Sequence, residues 1–354
     1  MSLYRTTVVH LQMMVKGLHH ITLVTGNYAV NRMFYTGVLG LRQVKLSVNQ
    51  DDIYHRHAFY ANPEKPTGSA ITFFEWPEIP NGFPGFGSPH HLAYRVKSVE
   101  ALAKWYGWLR SENVKVKGPV FYGGLVSIYF TDPDDCLLEL AAGDDGVDKP
   151  YVVELFSETS PPNQLTADMK LLAFDHVSPL VGDAGLVRKF LEKFLDIFPE
   201  TTHVAGKIMF NVQYNEQPYI RYVVNPSADD GYVGRGSIHH FAVAVETEED
   251  QRTILRKLNL AGIPNSGIVD RHWFKSLYFR DPDGNLMEVA TVGPGYDVDE
   301  PRETMGSRLV LPPWLENMRD RIESRLAERD KVNQPVWPPD YAEVPENHEP
   351  LLDV

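Results

Sequence analysis

The feature that most constrains this chain is an internal repeat. His91 and Glu139 stand 48 residues apart, and so do His240 and Glu288. In both intervals an Asp-Pro-Asp turn begins 7 residues before the glutamate, at Asp132 and at Asp281. A second offset, of 156 residues, places His20 on His176 and Phe34 on Phe190. The chain therefore reads as four copies of one unit, each a strand, a helix and three strands. Such a unit exposes an apolar sheet face when alone, so the copies must pack against one another.

Taken in order, residues 1–15 carry no clear pattern and are expected to form an N-terminal arm. The first unit opens with the strand Gly-Leu-His-His-Ile-Thr-Leu-Val-Thr, followed by a helix burying Val30, Met33, Phe34 and Val38. Strands are expected at Arg42–Val48, Tyr54–Tyr60 and Ala70–Trp76. The second unit begins at Pro89-His-His-Leu-Ala, has a helix burying Leu102, Trp105, Trp108 and Leu109, and ends in strands Ser127–Thr131 and Leu137–Ala141. Residues 146–169, rich in Asp, Pro, Ser and Thr, read as a linker between halves 16–145 and 170–292. The third unit's helix should bury Leu186, Phe190, Leu191 and Phe194; the fourth's should bury Ile254, Leu255 and Leu258. Residues 293–354 form a Pro- and acid-rich tail with one helix from Trp314 to about Arg329, entered through Pro312-Pro313.

Composition excludes several function classes. A chain of 354 residues with 43% apolar and 23% charged residues suits two ordinary globular domains. A formal charge of -13 argues against nucleic acid or an anionic membrane surface as partner. No apolar run is long enough to span a membrane, and no signal-peptide pattern opens the sequence. The single cysteine, Cys136, excludes an internal disulfide and fits a reducing cytoplasm. Its place before an apolar strand suggests packing rather than nucleophilic chemistry.

Seven of the 13 histidines lie at the starts of units: His19, His20, His90, His91, His176, His239 and His240. If the strands bearing His240 and Glu288 pair, an imidazole and a carboxylate meet at one point. A second histidine would complete the 2-His-1-carboxylate face that holds non-haem Fe(II) and leaves positions open. Side chains alternate along a strand, so His20 shares a face with Thr22, while His19 and His239 point elsewhere unless a bulge re-aims them. The second histidine of each pair is thus the expected ligand.

Leu18-His-His-Ile-Thr22, Ile238-His-His-Phe-Ala242 and Leu286-Met-Glu-Val-Ala290 resemble motifs of the vicinal oxygen chelate superfamily. Gly37-Val-Leu-Gly-Leu-Arg-Gln-Val-Lys45, Val48-Asn-Gln-Asp-Asp52 and Glu303-Thr-Met-Gly-Ser-Arg-Leu-Val-Leu-Pro312 bring the chain closest to its hydroquinone-type ring-cleaving dioxygenases. The resemblance runs from about Lys16 to Leu311. It implies an α+β fold of four βαβββ modules forming two domains with cupped mixed sheets. It further implies His20, His240 and Glu288 as ligands of Fe(II), with Mn(II) as the alternative, and O2 and an aromatic diol as substrates. Outer positions fall on His19, Thr22, His239, Arg271 and Tyr278. Among these, His19 or His239 is the expected acid or base, Tyr278 a hydrogen-bond donor, and Arg271 a fixed cation for a phenolate or carboxylate. The catechol-cleaving branch would use His176 in place of His20.

One feature departs from the hydroquinone pattern. His91, Glu139 and His176 form a second complete set, to be read as a second metal site or as a duplication remnant whose histidines pack, with Tyr129 in the place of Tyr278, Ser178 in that of Thr22, and Tyr122 where Arg271 would stand. Two rival functions are a glyoxalase-type isomerase, for which Thr22 and Ala242 offer no fourth ligand, and a non-catalytic aromatic- or antibiotic-binding protein. Homo-oligomerisation is left open by the sequence.

Overall fold

A computed structural model describes residues 14–144, 146–204, 207–214 and 217–346. The expected N-terminal arm lies outside these residues except at its end, where Val15 already belongs to the first strand.

The first module comprises β1 (Val15–Thr25), α1 (Tyr28–Arg32) running into a π turn over Met33–Val38, β2 (Arg42–Asn49), β3 (Asp52–Ala61) and β4 (Ala70–Glu75). The second comprises β5 (His91–Arg95), α2 (Val99–Ser111), β6 (Val116–Tyr122), β7 (Leu125–Thr131) and β8 (Leu137–Gly143). A helix, α3 (Lys149–Glu158), follows. The third module has β9 (Phe174–Ser178), the short β10 (Leu180–Val181), α4 (Ala184–Phe190) with a π turn over Leu191–Leu195, β11 (Glu200–Val204), β12 (Lys207–Tyr214) and β13 (Gln217–Val224). The fourth has β14 (Ile238–Val245), α5 (Glu248–Leu260), β15 (Asn265–Asp270), β16 (Phe274–Arg280) and β17 (Leu286–Pro294). A 3-10 turn over Pro313–Met318 leads into α6 (Arg319–Val332).

The main helix of every module starts at a polar cap whose side chain accepts a backbone N–H: Asn27, Ser98, Asp183 and Thr247. Such a residue satisfies one of the orphan donors of the first turn and sets the start point. The repeat is thus visible in the caps as well as in the histidines.

Modules one and four form a single eight-stranded mixed sheet, ordered β15-β16-β17-β14-β1-β4-β3-β2. Modules two and three form the other, ordered β11-β12-β13-β9-β5-β8-β7-β6, with β10 on β13. In both, the two central strands run antiparallel (β1 with β14, β5 with β9) and are flanked by parallel neighbours. Each sheet curls into a cup and takes one module from each half of the chain, so residues 16–145 and 170–292 are not the sheet-forming units.

The largest apolar cluster joins both sheets and the helices: Ile21, Phe73, Leu92, Leu140, Val177 and Phe241 all belong to it. Cys136 is buried within it, as its packing role required. A separate cluster lines the first cup, where Phe59, Trp273 and Phe274 meet Tyr296, Met305 and Val310 of the tail. The Glu303–Pro312 motif thereby gains a physical role: the tail walls one side of the cup. Lys45, fully buried there, is held 2.6 Å from both Asp299 and Glu300. No helix among the described residues is long and apolar enough to cross a membrane.

Four local expectations need correction. The linker contains α3, whose Val152 and Phe156 are buried; a two-turn apolar stripe was hidden between Pro- and Asp-rich flanks. Met33 is exposed and Tyr35 buried, because Leu39 N–H bonds back to the Phe34 carbonyl and the wider turn rotates the buried face. Leu186 is exposed while Val187 is buried, since the stripe through Val187, Phe190, Leu191 and Phe194 keeps the helical period and Leu186 sits beside it. The tail helix proper begins at Arg319, after the 3-10 turn.

Candidate metal centre

His20, His240 and Glu288 lie on β1, β14 and β17, three adjacent strands at the middle of the first sheet. The register brings them together. His20 pairs with Ala242, Ala242 pairs with Glu288, and His240 is one pleat away, opposite Thr22. All three side chains therefore rise from one face. Glu288 Oε2 is 3.2 Å from His20 Nε2 and 3.0 Å from His240 Nε2. Ser276 Oγ donates to the other oxygen, Oε1, at 2.5 Å.

Electrostatics reinforce this grouping. Burial pushes the Glu288 carboxyl up, but the charges and hydrogen bonds of His20 and His240 outweigh it and hold the group well below the usual range. His240 Nε2 and Glu288 Oε2 are buried and face each other, with no hydrogen-bond partner outside the cluster. Buried polar atoms left short of partners are costly unless something else satisfies them. Two imidazole nitrogens and one carboxylate oxygen converging on one point suit a divalent transition metal. The residues present fit that group.

The first histidine of each pair holds the second. His19 Nδ1 is 2.9 Å from His20 Nδ1, and His239 Nδ1 is 2.8 Å from His240 Nδ1. On β1 the pairing is irregular between Leu18 and His20, so a bulge turns the His19 ring into the same cup, against Phe274 and Tyr296. His239 packs on Phe74 and Trp76. Burial first, and the neighbouring histidine second, drive both His19 and His239 down to about 3. Both rings are neutral at ordinary pH.

A pocket of about 380 Å3, including its open mouth, stands over the triad. Its walls are Phe59, Phe74, Trp273 and Phe274, and Asn49, Gln50, Asp51 and Arg271 add polar groups. Tyr278 also lines it, with its ring 5.6 Å from that of His240 and its hydroxyl pushed up chiefly by burial. Arg271 lies over the Tyr278 ring at 5.4 Å and donates to Asp51 at 2.8 Å. Thr22 does not line the pocket; its Oγ1 is 2.8 Å from Thr72 Oγ1. All eight residues expected from the sequence thus gather in or directly behind one cup.

Sequence reasoning missed Ser276, His57, Thr72 and the aromatic walls. Ser276 could have been found, since Ser127 and Ser276 both stand 12 residues before their glutamates. His57 has no counterpart in the repeat and left no signal.

His176 belongs to the other sheet, with His91 and Glu139, and cannot replace His20 beside His240. In that second cluster Glu139 Oε2 is 2.9 Å from His91 Nε2 and 3.5 Å from His176 Nε2. The Tyr122 hydroxyl sits in the middle, donating to Glu139 at 3.0 Å and lying 3.4 Å from His176 Nε2. Behind it, the buried Arg221 guanidinium is 5.5 Å from the Tyr122 ring and 3.8 Å from Asp175, which in turn bonds His176 Nδ1 at 2.7 Å.

A profile of the glyoxalase/bleomycin resistance protein/dioxygenase superfamily matches residues 17–140 and 173–289. The chain belongs to that superfamily. Within the superfamily, it is 33% identical over 323 residues to a Bacillus subtilis protein named "Putative ring-cleaving dioxygenase MhqA", covering 89% of this chain and 99% of the relative. It is 26% identical over 336 residues to the chlorohydroquinone/hydroquinone 1,2-dioxygenase of Sphingobium indicum, covering 87% and 95%. A solved structure described as a "putative dioxygenase" from B. subtilis superposes with a TM-score of 0.77 at 30% identity, covering 89% of this chain and 97% of that one. Glyoxalase I from Zea mays, at 17% identity and a TM-score of 0.55, shares the fold over 78% of this chain and 92% of its own. These relatives place the chain among the ring-cleaving dioxygenases of the superfamily, which are oxidoreductases.

Proposed function

We propose that the protein is a non-haem Fe(II)-dependent dioxygenase that opens the ring of a hydroquinone or related dihydroxylated aromatic and inserts both atoms of O2. Mn(II) is the alternative metal. The observation that carries this reading is the buried pair His240 Nε2 and Glu288 Oε2, without a partner outside the cluster, converging with His20 beneath an aromatic-walled pocket. Two neutral imidazoles and one carboxylate leave a bound divalent cation with one net positive charge, suited to an anionic phenolate. When bound, the metal supplies the template and electron path that join the aromatic ring to dioxygen.

The chain's own residues orient and stabilise. A ring that ligates through Nε2 keeps its proton on Nδ1, so His20 and His240 donate to the Nδ1 lone pairs of His19 and His239. That leaves Nε2–H on the outer histidines. His19 has the Thr291 backbone as a further hydrogen-bond partner, and the His239 ring packs on Phe74 and Trp76. The expected acid–base role thus becomes one of orientation, because neutral rings with the acceptor nitrogen engaged neither take up nor readily release a proton. Tyr278, kept protonated, can donate to a substrate oxygen, and Arg271 supplies a fixed positive charge at the pocket. Phe59, Phe74, Trp273 and Phe274 offer faces to an aromatic ring and exclude water. The cluster contributes three donors, the count expected for an oxygenase rather than a four-ligand isomerase.

The test is oxygen uptake by anaerobically purified protein reloaded with Fe(II) or Mn(II), with hydroquinones and catechols in parallel. Uptake matched to loss of ring absorbance, faster with hydroquinones, is the expected result. No uptake with either metal and any diol removes the dioxygenase reading.

A further inference from the structure

His57 on β3 shares the pocket with His20 and His240 but touches neither partner of the metal cluster by hydrogen bond. Its ring is gripped by Phe59 and Phe74, with centroids 4.1 and 4.4 Å away. Its Nε2 lies 2.9 Å from Thr72 Oγ1, which lies 2.8 Å from Thr22 Oγ1. The result is a three-membered hydrogen-bonded chain, Thr22–Thr72–His57, running from behind the centre to the pocket wall. Nδ1 of His57 takes no hydrogen-bond partner among the described residues and is not sealed from accessible space, and the ring lines the pocket.

A fixed imidazole with one bonded and one free nitrogen is a recognition element. If Thr72 donates to Nε2, the proton stands on Nδ1; if Nε2–H donates to Thr72, Nδ1 presents a lone pair. Both hydroxyls can rotate, so the chain supplies whichever form a phenol or phenolate oxygen requires. Diol geometry then discriminates. A 1,2-diol presents both oxygens to the metal face. A 1,4-diol with one oxygen at that face sends the other across the ring, toward the pocket wall.

We propose that His57 is a substrate-binding, specificity-determining residue whose Nδ1 hydrogen-bonds the remote hydroxyl of a 1,4-dihydroxylated aromatic. The assignment rests on the ring-cleaving reading and deepens it by naming the residue that reads the remote hydroxyl. The matched positions of the second sheet carry no such device. Register equates Thr72 with Arg221 and His57 with Met209, because Thr72 pairs Phe59 as Arg221 pairs Asn211.

Anaerobic binding of hydroquinone and of phenol to the metal-loaded protein tests this, since phenol lacks the remote hydroxyl. His57→Phe, which keeps an aromatic ring between Phe59 and Phe74, should weaken hydroquinone about tenfold and phenol less than about twofold. His57→Gln should recover part of the difference, and metal content should stay unchanged in both variants. Equal weakening of the two ligands, or none, overturns the role of His57. Turnover of the wild-type protein separates the two readings. Cleavage of diols without a hydroquinone-specific loss in His57→Phe sinks this inference alone. A hydroquinone-specific binding loss without wild-type ring cleavage sinks the dioxygenase reading and leaves His57 as a para-diol contact. If the wild-type protein binds neither ligand, both readings fall.

Discussion

The two cups are built from the same repeat, yet one presents an open cluster of donors and the other a closed one. Both contain two histidines and a glutamate, and in both a serine donates to the glutamate at 2.5 Å. They differ in what stands over the cluster. In the first cup, Arg271 and Tyr278 line a pocket, and the buried His240 Nε2 and Glu288 Oε2 have no partner outside the triad. In the second, Tyr122 takes the place of Arg271 and its hydroxyl bonds Glu139. Arg221, at the position matched to Thr72, brings a buried cation beside it. Tyr122 and Tyr129 join Met209, Val223 and Val344 of the tail in an apolar cluster. The contrast predicts that a ligand triad is insufficient: what should decide is whether its donor atoms are already satisfied by neighbours outside the triad.

The largest expected effects come from removing each glutamate. Glu288→Ala should abolish turnover and lower metal content from one per chain to none, while an aromatic ligand still binds; persistent turnover would move catalysis elsewhere. Glu139→Ala should leave metal at one per chain. It should instead destabilise the fold by about 3–5 kcal/mol, since it strands the buried partners of an ion-paired network. Metal analysis and urea denaturation on the same preparations separate the two outcomes.

The next expected effect concerns closure itself. Wild-type protein should hold one metal per chain even in excess Fe(II) or Mn(II). Tyr122→Arg combined with Arg221→Thr copies the first cup's residues into the second and should raise the count toward two, with Asp175 still paired to Arg95. A wild-type count of two would show that Tyr122 does not close the cluster.

A smaller change should follow from loosening the histidine pairs. His239→Ala leaves the His240 Nδ1–H without its acceptor and should weaken metal binding by about 10–100-fold. His90→Ala, the matched change in the second cup, should not alter metal affinity. Competition with a chelator reads both.

These contrasts also show which parts of the molecule the chain made legible. The repeat arithmetic predicted four modules, and the His-His and Leu-Met-Glu motifs located the donors on strands whose neighbours could be guessed. Ser127 and Ser276 were equally periodic but went unread, because serine alone carries no chemical signature. The closing of the second cup was only half visible. Tyr122 could be seen in the place of Arg271, yet its effect depends on Arg221, which lies on a different module and meets it only through sheet order. His57 was invisible for a related reason: its role arises from the pairing of β3 with β4 and of β4 with β1, and no local pattern encodes that. The helix at Lys149–Glu158 was lost because its flanks look like a linker while its apolar stripe is short.

The smallest expected effect tests a place where the cups are alike, the Asp-Pro-Asp turns. Burial raises the Asp132 carboxyl well above its usual range, and raises Asp281 to about 7 despite the opposing hydrogen bonds of Asn285. A carboxyl whose folded value exceeds its unfolded value near 3.9 binds more protons when folded. Its contribution is therefore fully present below pH 4 and is lost as pH rises toward 7 for Asp281. The buried neutral His19 and His239 act in the opposite direction, since their contribution is lost as pH falls from about 6.5 toward 3. The bulk pH profile mixes these signs, so the informative quantity is the difference between wild type and Asp281→Asn. Asparagine keeps an oxygen acceptor for the backbone N–H groups of Asp283 and Asn285 and cannot ionise. The urea midpoint of the wild type relative to this variant should fall between pH 4 and pH 7 and then level off. A relative midpoint that stays nearly flat over that interval would mean that the turn's N–H donors outweigh burial and that Asp281 is ionised throughout.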